Sequence, residues 1–219
     1  MKAMILVAGY GKRLLPLTKD TPKPLLKVGN KTLIERNINN LLESGFSEIV
    51  INVSHLSKLI EGHVKEKFPK NNILFSFEER PLGTGGGVLK ALNILGAEPF
   101  LLINSDIYHC ISFMNLPKTT EAAHLIGVPN PDHNRNGDFS IKNENMVEVQ
   151  DGLNELTWSG ISLINPIIFN ENVFDIESFN MWKGVLPKYI NNGKVTAHKS
   201  SEFWIDVGTQ DRLKLANTL

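Results

Sequence analysis

Two sets of residues in this sequence could do chemistry together. One is basic: Lys12 and Arg13 follow the glycine pair Gly9 and Gly11, and Lys23 sits inside TPKPL. The other is acidic: Asp106 ends the run LLINSD, at the tip of an expected strand. Glycines let a backbone approach a ligand closely and turn its N–H groups inward, which suits phosphate. Fixed cations lower the barrier where charge develops on phosphate oxygens. Arginine can chelate two such oxygens, whereas lysine is a compact point charge. A carboxylate at such a strand end could hold a magnesium ion, which favours one or two carboxylates together with phosphate oxygens and water. Singly, each residue reads as a solvated charge, a cap or a turn residue. In this order they point to phosphoryl or nucleotidyl transfer on a triphosphate.

Other chemistries fit less well. The dinucleotide fingerprint needs a third glycine where this chain has Leu14, and a helix that Pro16, Pro22 and Pro24 forbid. Neither GYGKRLL nor GTGGGVLK meets the spacing of the Walker loop. No Ser-His-Asp or Cys-His arrangement is visible, and His55, His63, His109, His124 and His198 lack ligand spacing. The single cysteine, Cys110, excludes an internal disulfide and reads as a packed thiol.

The elements that must position these residues follow from hydrophobic pattern. MILVA (4–8) is a continuous apolar run, as in a central parallel strand. A helical period spans 32–44 and stops at Gly45. Strands are expected at 48–53, 73–79 and 99–106, alternating with helices at 56–68 and 85–95. This βαβ alternation predicts an α/β protein: a Rossmann-like three-layer α/β/α fold with a mostly parallel mixed sheet. Ligands of such sheets lie beyond the carboxyl ends of the strands, where the glycine turns and Asp106 fall. Beyond residue 122 the pattern shifts to short strands and turns, at 146–149 and 156–163. A helix over 181–191, a strand over 203–209 and a last helix over 210–217 capped by Thr209 follow. We read 1–219 as one domain, with a subdomain at roughly 122–200 over the mouth of the sheet.

Composition narrows the class. Of 219 residues, 42% are hydrophobic and 21% charged, as in ordinary soluble domains, and 23 basic residues balance 23 acidic ones. That balance gives no support to nucleic-acid or membrane-surface binding. No signal peptide and no membrane span is apparent, so a cytoplasmic protein is expected.

The stretch LVAGYGKRLLPLTKDTPKPL (6–25) resembles the signature L-x-A-G-x-G-x-R-L-x-P-L-T…P-K-P-L of sugar-1-phosphate nucleotidyltransferases, and the resemblance runs from Met1 to about Ala216. It implies an NTP and a sugar 1-phosphate as substrates, Mg2+ as cofactor, and attack by the sugar's phosphate on the α-phosphorus. It implies catalytic roles for Arg13, Lys23 and Asp106, with metal ligation by Asp106 and Asp206. Nucleotide contacts are implied at Leu6, Ala8, Gly9, Gly11, Lys12, Arg13, Lys23, Glu78, Gly83, Thr84 and Asn104. Gly83 and Thr84 belong to PLGTGGG, whose following helix is expected to offer free N–H groups. For Glu78 an exposed strand-end carboxylate is the competing reading.

Two finer resemblances stand side by side. NPDHNRNGDF (130–139), TGGGVLKAL (84–92) and TWSGISLINPIIF (157–169) resemble N-acetylmuramate-1-phosphate uridylyltransferases. That subgroup implies UTP, with sugar contacts at Gly86, Gly137, Asp138, Ser159 and Gly160, and with His133 and Trp158 nearby. PLGTGG, with Gly83 where the subgroup has an acidic residue, is closer to mannose- and heptose-1-phosphate guanylyltransferases. A nucleotide-sugar-binding regulator without turnover would be expected to lack a metal carboxylate or the catalytic cation; this chain keeps Arg13, Lys23, Asp106 and Asp206. Oligomeric state is left open by the sequence.

Overall fold

The computed structural model describes residues 1–170 and 178–219; residues 171–177 of the expected subdomain lie outside them. In chain order the elements are β1 (Ala3–Leu6), β2 (Lys27–Val28), β3 (Lys31–Thr32), α1 (Leu33–Glu43), β4 (Glu48–Val53), α2 (Ser57–Lys67), β5 (Asn72–Phe77), α3 (Gly83–Leu95), β6 (Phe100–Asn104) and β7 (Ile107–His109). Then come β8 (Ala123–Pro129), β9 (Ser140–Ile141), β10 (Val147–Glu148), β11 (Leu156–Ile164), α4 (Ile167–Asn170), α5 (Met181–Gly184), α6 (Leu186–Asn191), β12 (Val195–Lys199), β13 (Trp204–Asp206) and α7 (Gln210–Ala216).

Seven strands form one sheet in the order β12-β8-β11-β6-β1-β4-β5. All neighbouring pairs are parallel except the two made by β11, which runs antiparallel to β6 and β8. The second half of the chain thus extends the sheet of the first half. β1 sits where the strand order reverses, with β4 on one side and β6 on the other. That is the position where a crevice opens beyond the strand ends.

The inner strands of the sheet are buried on both faces, which explains their continuous apolar runs, whereas the edge strand β5 is partly exposed. Ala3 and Ile5 of β1 join a core that includes Ile34, Ile38 and Leu41 of α1 and Ile60 and Val64 of α2. Met4 and Leu6 face the opposite core, with Val88 and Ala91 of α3 and Leu186 and Tyr189 of α6. Three layers result. No helix among the described residues is long and apolar enough to cross a membrane.

Local signals set most boundaries. Thr32 and Glu35 form a reciprocal capping box that starts α1. Thr209 caps α7 by accepting from the Arg212 N–H. Two expectations need correction. The helix over 181–191 is two short helices, broken at Val185; Gly184 ends the first and Pro187, lacking an N–H, lies in the first turn of the second. Cys110 is exposed. Strand alternation turns His109 inward, so the next residue faces out.

Candidate active site

β1 ends at Leu6, and the chain leaves the sheet with Val7 donating its N–H to Asn52 Oδ1 at 2.8 Å. The glycine segment then curls into a short 3-10 turn at Lys12–Leu14, and Lys23–Leu25 forms another. Together they wall a cavity of about 360 Å³. Leu6, Ala8, Gly9, Gly11, Lys12 and Arg13 line it, as expected from the sequence. Lys23, Gly83, Thr84, Asn104 and Asp106 line it too.

Glu78 is placed differently. It is only 5% exposed, so it is not a strand-end surface carboxylate. Its Oε1 accepts from Asn52 Nδ2 at 2.6 Å and its Oε2 from the Leu82 N–H at 2.8 Å. It stands behind the cavity wall and braces the second glycine turn. The N–H groups of Gly85 and Gly86 are also not free: both point to the Phe179 carbonyl, at 3.0 and 3.4 Å.

A second cavity, of about 350 Å³, shares Asn104 and Asp106 with the first. Asp138, Ser159, Gly160, Trp158 and His133 line it, as does Asp206. Gly86 and Gly137 do not. Gly86 is buried in the first turn of α3, and Gly137 closes a turn onto Asn134 that delivers Asp138. The polar segment 130–138 is stitched to β11. Thr157 Oγ1 donates to Asn130 Oδ1, Asn134 donates to Thr157 and to Asp138 Oδ1, and the Trp158 N–H donates to Asp138 Oδ2. Gly160, at φ +80, lies where β11 shifts register; a Cβ there would come within 2.6 Å of Asn104 Nδ2.

The two aspartates come from residues a hundred positions apart. A ribbon of β7 and β13 pairs Asp206 with Ile107, and the Val207 N–H donates to the Asp106 carbonyl at 2.7 Å. Asp106 Oδ2 accepts from Lys23 Nζ at 2.6 Å. Asp206 Oδ2 pairs with Arg212 at 2.9 Å. Its Oδ1 is turned toward His133 Nε2, 2.9 Å away. Asp106 and Asp206 both line the second cavity, and carboxylates are hard oxygen donors that suit a divalent cation. No cluster of three or more His, Cys, Asp or Glu side chains that could hold a metal exists among the described residues. Remaining ligands would be substrate oxygens and water.

Asn52 and Arg212 escape sequence reading. Asn52 is one polar residue inside a strand pattern, EIVINV, and that interruption is its signal. Arg212 sits in an ordinary helical stretch, and only the fold aims it at Asp206.

Comparison with known proteins agrees with this geometry. The family model described as nucleotidyl transferase matches residues 2–151. An N-acetylmuramate alpha-1-phosphate uridylyltransferase of Neisseria meningitidis is 40% identical over the whole chain and 98% of its own length. A mannose-1-phosphate guanylyltransferase catalytic subunit beta of Drosophila melanogaster is 30% identical over 94% of this chain, which spans 59% of that relative. The crystal structure of HddC from Yersinia pseudotuberculosis complexed with GMP-PN shares the fold, with a TM-score of 0.82 at 24% identity over 99% of this chain and 98% of that one.

Proposed function

The chain belongs to the nucleotidyl transferase family, and from that premise we propose that it converts UTP and N-acetylmuramate 1-phosphate into UDP-N-acetylmuramate and pyrophosphate. The observation that carries this reading is the second cavity. His133, Asn134 and Asp138, from the segment 130–138 that resembles the muramate subgroup, line it together with Asp106. The relative from Neisseria meningitidis supports the same substrate pair.

The reaction is in line. A phosphate oxygen of the sugar 1-phosphate attacks the α-phosphorus, and the bond to the bridging oxygen breaks, its electron pair leaving with pyrophosphate. The glycine loop, Lys12 and Arg13 hold the triphosphate in the first cavity. The second cavity holds the sugar so that its phosphate meets the α-phosphorus near Asp106. Lys23 offsets charge that builds on the phosphates. A magnesium ion on Asp106 and Asp206 would supply Lewis acidity at the α-phosphate. No protein nucleophile is needed, because a phosphate monoester is itself nucleophilic. Residues 122–200 form the sugar-binding subdomain in this reading, and the protein works in the cytoplasm in cell-wall sugar recycling.

A guanylyltransferase is the second reading, favoured by PLGTGG. Packing offers another reason for that glycine: Gly83 is at φ +73, and a Cβ there would lie 2.4 Å from the Phe179 carbonyl oxygen. The test is pyrophosphate release with magnesium, crossing UTP, GTP, CTP, ATP and dTTP against muramate-, mannose-, heptose-, glucose- and glucosamine-type sugar 1-phosphates. Strong release with UTP and N-acetylmuramate 1-phosphate is expected. A dominant GTP pair would replace the reading with the second one.

A further inference from the structure

We propose that Trp182 is a positioning residue that couples the two cavities, so that a ligand in the sugar cavity tightens binding in the nucleotide cavity and the reverse. The proposal rests on the nucleotidyl-transfer reading above.

At one end is the sugar cavity. Trp158 lines it, and the Trp158 ring stacks on Trp182 with centroids 5.6 Å apart and planes at 29°. Trp158 is held from two sides: its backbone N–H donates to Asp138 Oδ2 at 2.8 Å, and its indole N–H to the Ile161 carbonyl at 3.1 Å. Trp182 also packs on Phe139, at 6.2 Å.

At the other end is the nucleotide cavity, whose wall includes Gly83 and Thr84. The residues just before Trp182 are bonded to that turn along its length. The Phe179 N–H donates to the Leu82 carbonyl at 3.0 Å, and the Phe179 carbonyl accepts from Gly85 and Gly86. The Met181 N–H donates to Thr84 Oγ1 at 2.8 Å. Asn180 caps α5 by accepting from the Lys183 N–H at 3.2 Å, so Trp182 moves with the start of its helix.

One short helix is therefore fixed by directional hydrogen bonds to the nucleotide wall and by a ring stack to the sugar wall. Hydrogen bonds hold a set geometry, whereas a stack can slide. The stack is the joint at which movement of one wall reaches the other. A ligand in either cavity immobilises the same helix, which gives the coupling its positive sign. Coupling between sites is reciprocal, and one ring contact can carry a factor of roughly five.

The experiment is calorimetric titration of the full chain with α,β-methylene UTP, which cannot react, with and without N-acetylmuramate 1-phosphate. In the wild type each ligand is expected to tighten the other about fivefold. In Trp182→Ala both ligands still bind, and the factor falls to about one. Trp182→Phe, which keeps an aromatic face, retains most of it. Trp182→Leu keeps apolar volume at this partly buried site and serves if the alanine variant does not fold; it too should lose the coupling. A second readout is tryptophan emission. No tryptophan lines the nucleotide cavity among the described residues, yet the UTP analogue alone should change the emission of the wild type, and less so that of Trp182→Phe. Wild-type coupling that persists in the alanine or leucine variant, or no coupling in the wild type, overturns the proposal while the functional reading stands. If neither ligand binds the wild type, both fall.

Discussion

Lys23 Nζ lies 2.6 Å from Asp106 Oδ2, at the seam between the two cavities. The pair is largely withdrawn from water, with the two side chains 13% and 27% exposed. In the proposed reaction each residue would have a separate task, as phosphate cation and as metal carboxylate. On that reading, bound substrate would pair Lys23 with phosphate and leave the Asp106 carboxylate available to a divalent cation. Lys23→Ala should therefore cut kcat/KM by about a hundredfold, or roughly 3 kcal/mol. Asp106→Asn should lose turnover by orders of magnitude yet keep a cooperative thermal transition. Steady-state kinetics and melting of both variants check this; a Lys23→Ala enzyme with near-normal kcat/KM would return Lys23 to the role of a solvated charge.

Glu78 supports the site from behind. Glu78→Ala strands the Leu82 N–H and the Asn52 amide in a buried place, at about 1–3 kcal/mol for each unsatisfied group. Asn52 in turn holds Val7 at the head of the glycine loop. The expected result is a lower melting temperature and weaker nucleotide binding, with base preference unchanged. A variant of normal stability that prefers another base would place Glu78 against the base itself.

Gly160, in β11, lies against Asn104, one of the two residues that the cavities share. Gly160→Ala forces a side chain at φ +80 against Asn104, a conflict expected to cost about 1–3 kcal/mol and to displace Asn104 from both cavities. Thermal melting and kcat/KM should fall together. Wild-type values for both would show that Asn104 has space to yield.

Acid should weaken the fold through His109. Burial lowers its pKa to about 4, with Glu202 pulling weakly the other way. Its Nδ1 accepts from the Ile111 N–H at 3.1 Å, and its Nε2 has no partner. The folded pKa lies below the ordinary value of 6.5, so the unfolded chain takes up the proton first. The neutral ring's contribution is thus whole above about pH 6.5 and is lost as pH falls toward 4, by roughly 3 kcal/mol in all. His124, also lowered to about 4 by burial and by His198, acts with the same sign. Denaturant melts across this range should show a flatter acid limb for His109→Phe; a slope equal to the wild type's would remove His109 from the account.

Much of the fold is legible in the sequence because its inner strands are buried on both faces. β4 appears as the apolar run EIVINV, and α1 announces itself by period and cap. The glycine loop is legible for another reason, because close approach to phosphate admits few residue types; Asp206 is legible only through the family resemblance. What stays hidden depends on partners far along the chain. The brace from Glu78 through Asn52 to Val7, the aim of Arg212 at Asp206, and the zipper between Phe179 and the glycine turn arise from register and packing. Cys110 reads as buried until the strand's alternation is fixed by its neighbour His109.

The most direct test of the central claim is a competition. The enzyme is given UTP, GTP, CTP, ATP and dTTP in equal amounts with magnesium and N-acetylmuramate 1-phosphate, and the nucleotide sugars are identified by mass. The account predicts UDP-N-acetylmuramate as the dominant product, lost in Asp106→Asn. A different nucleotide on the sugar, or no nucleotide sugar while another sugar 1-phosphate is consumed readily, would contradict it.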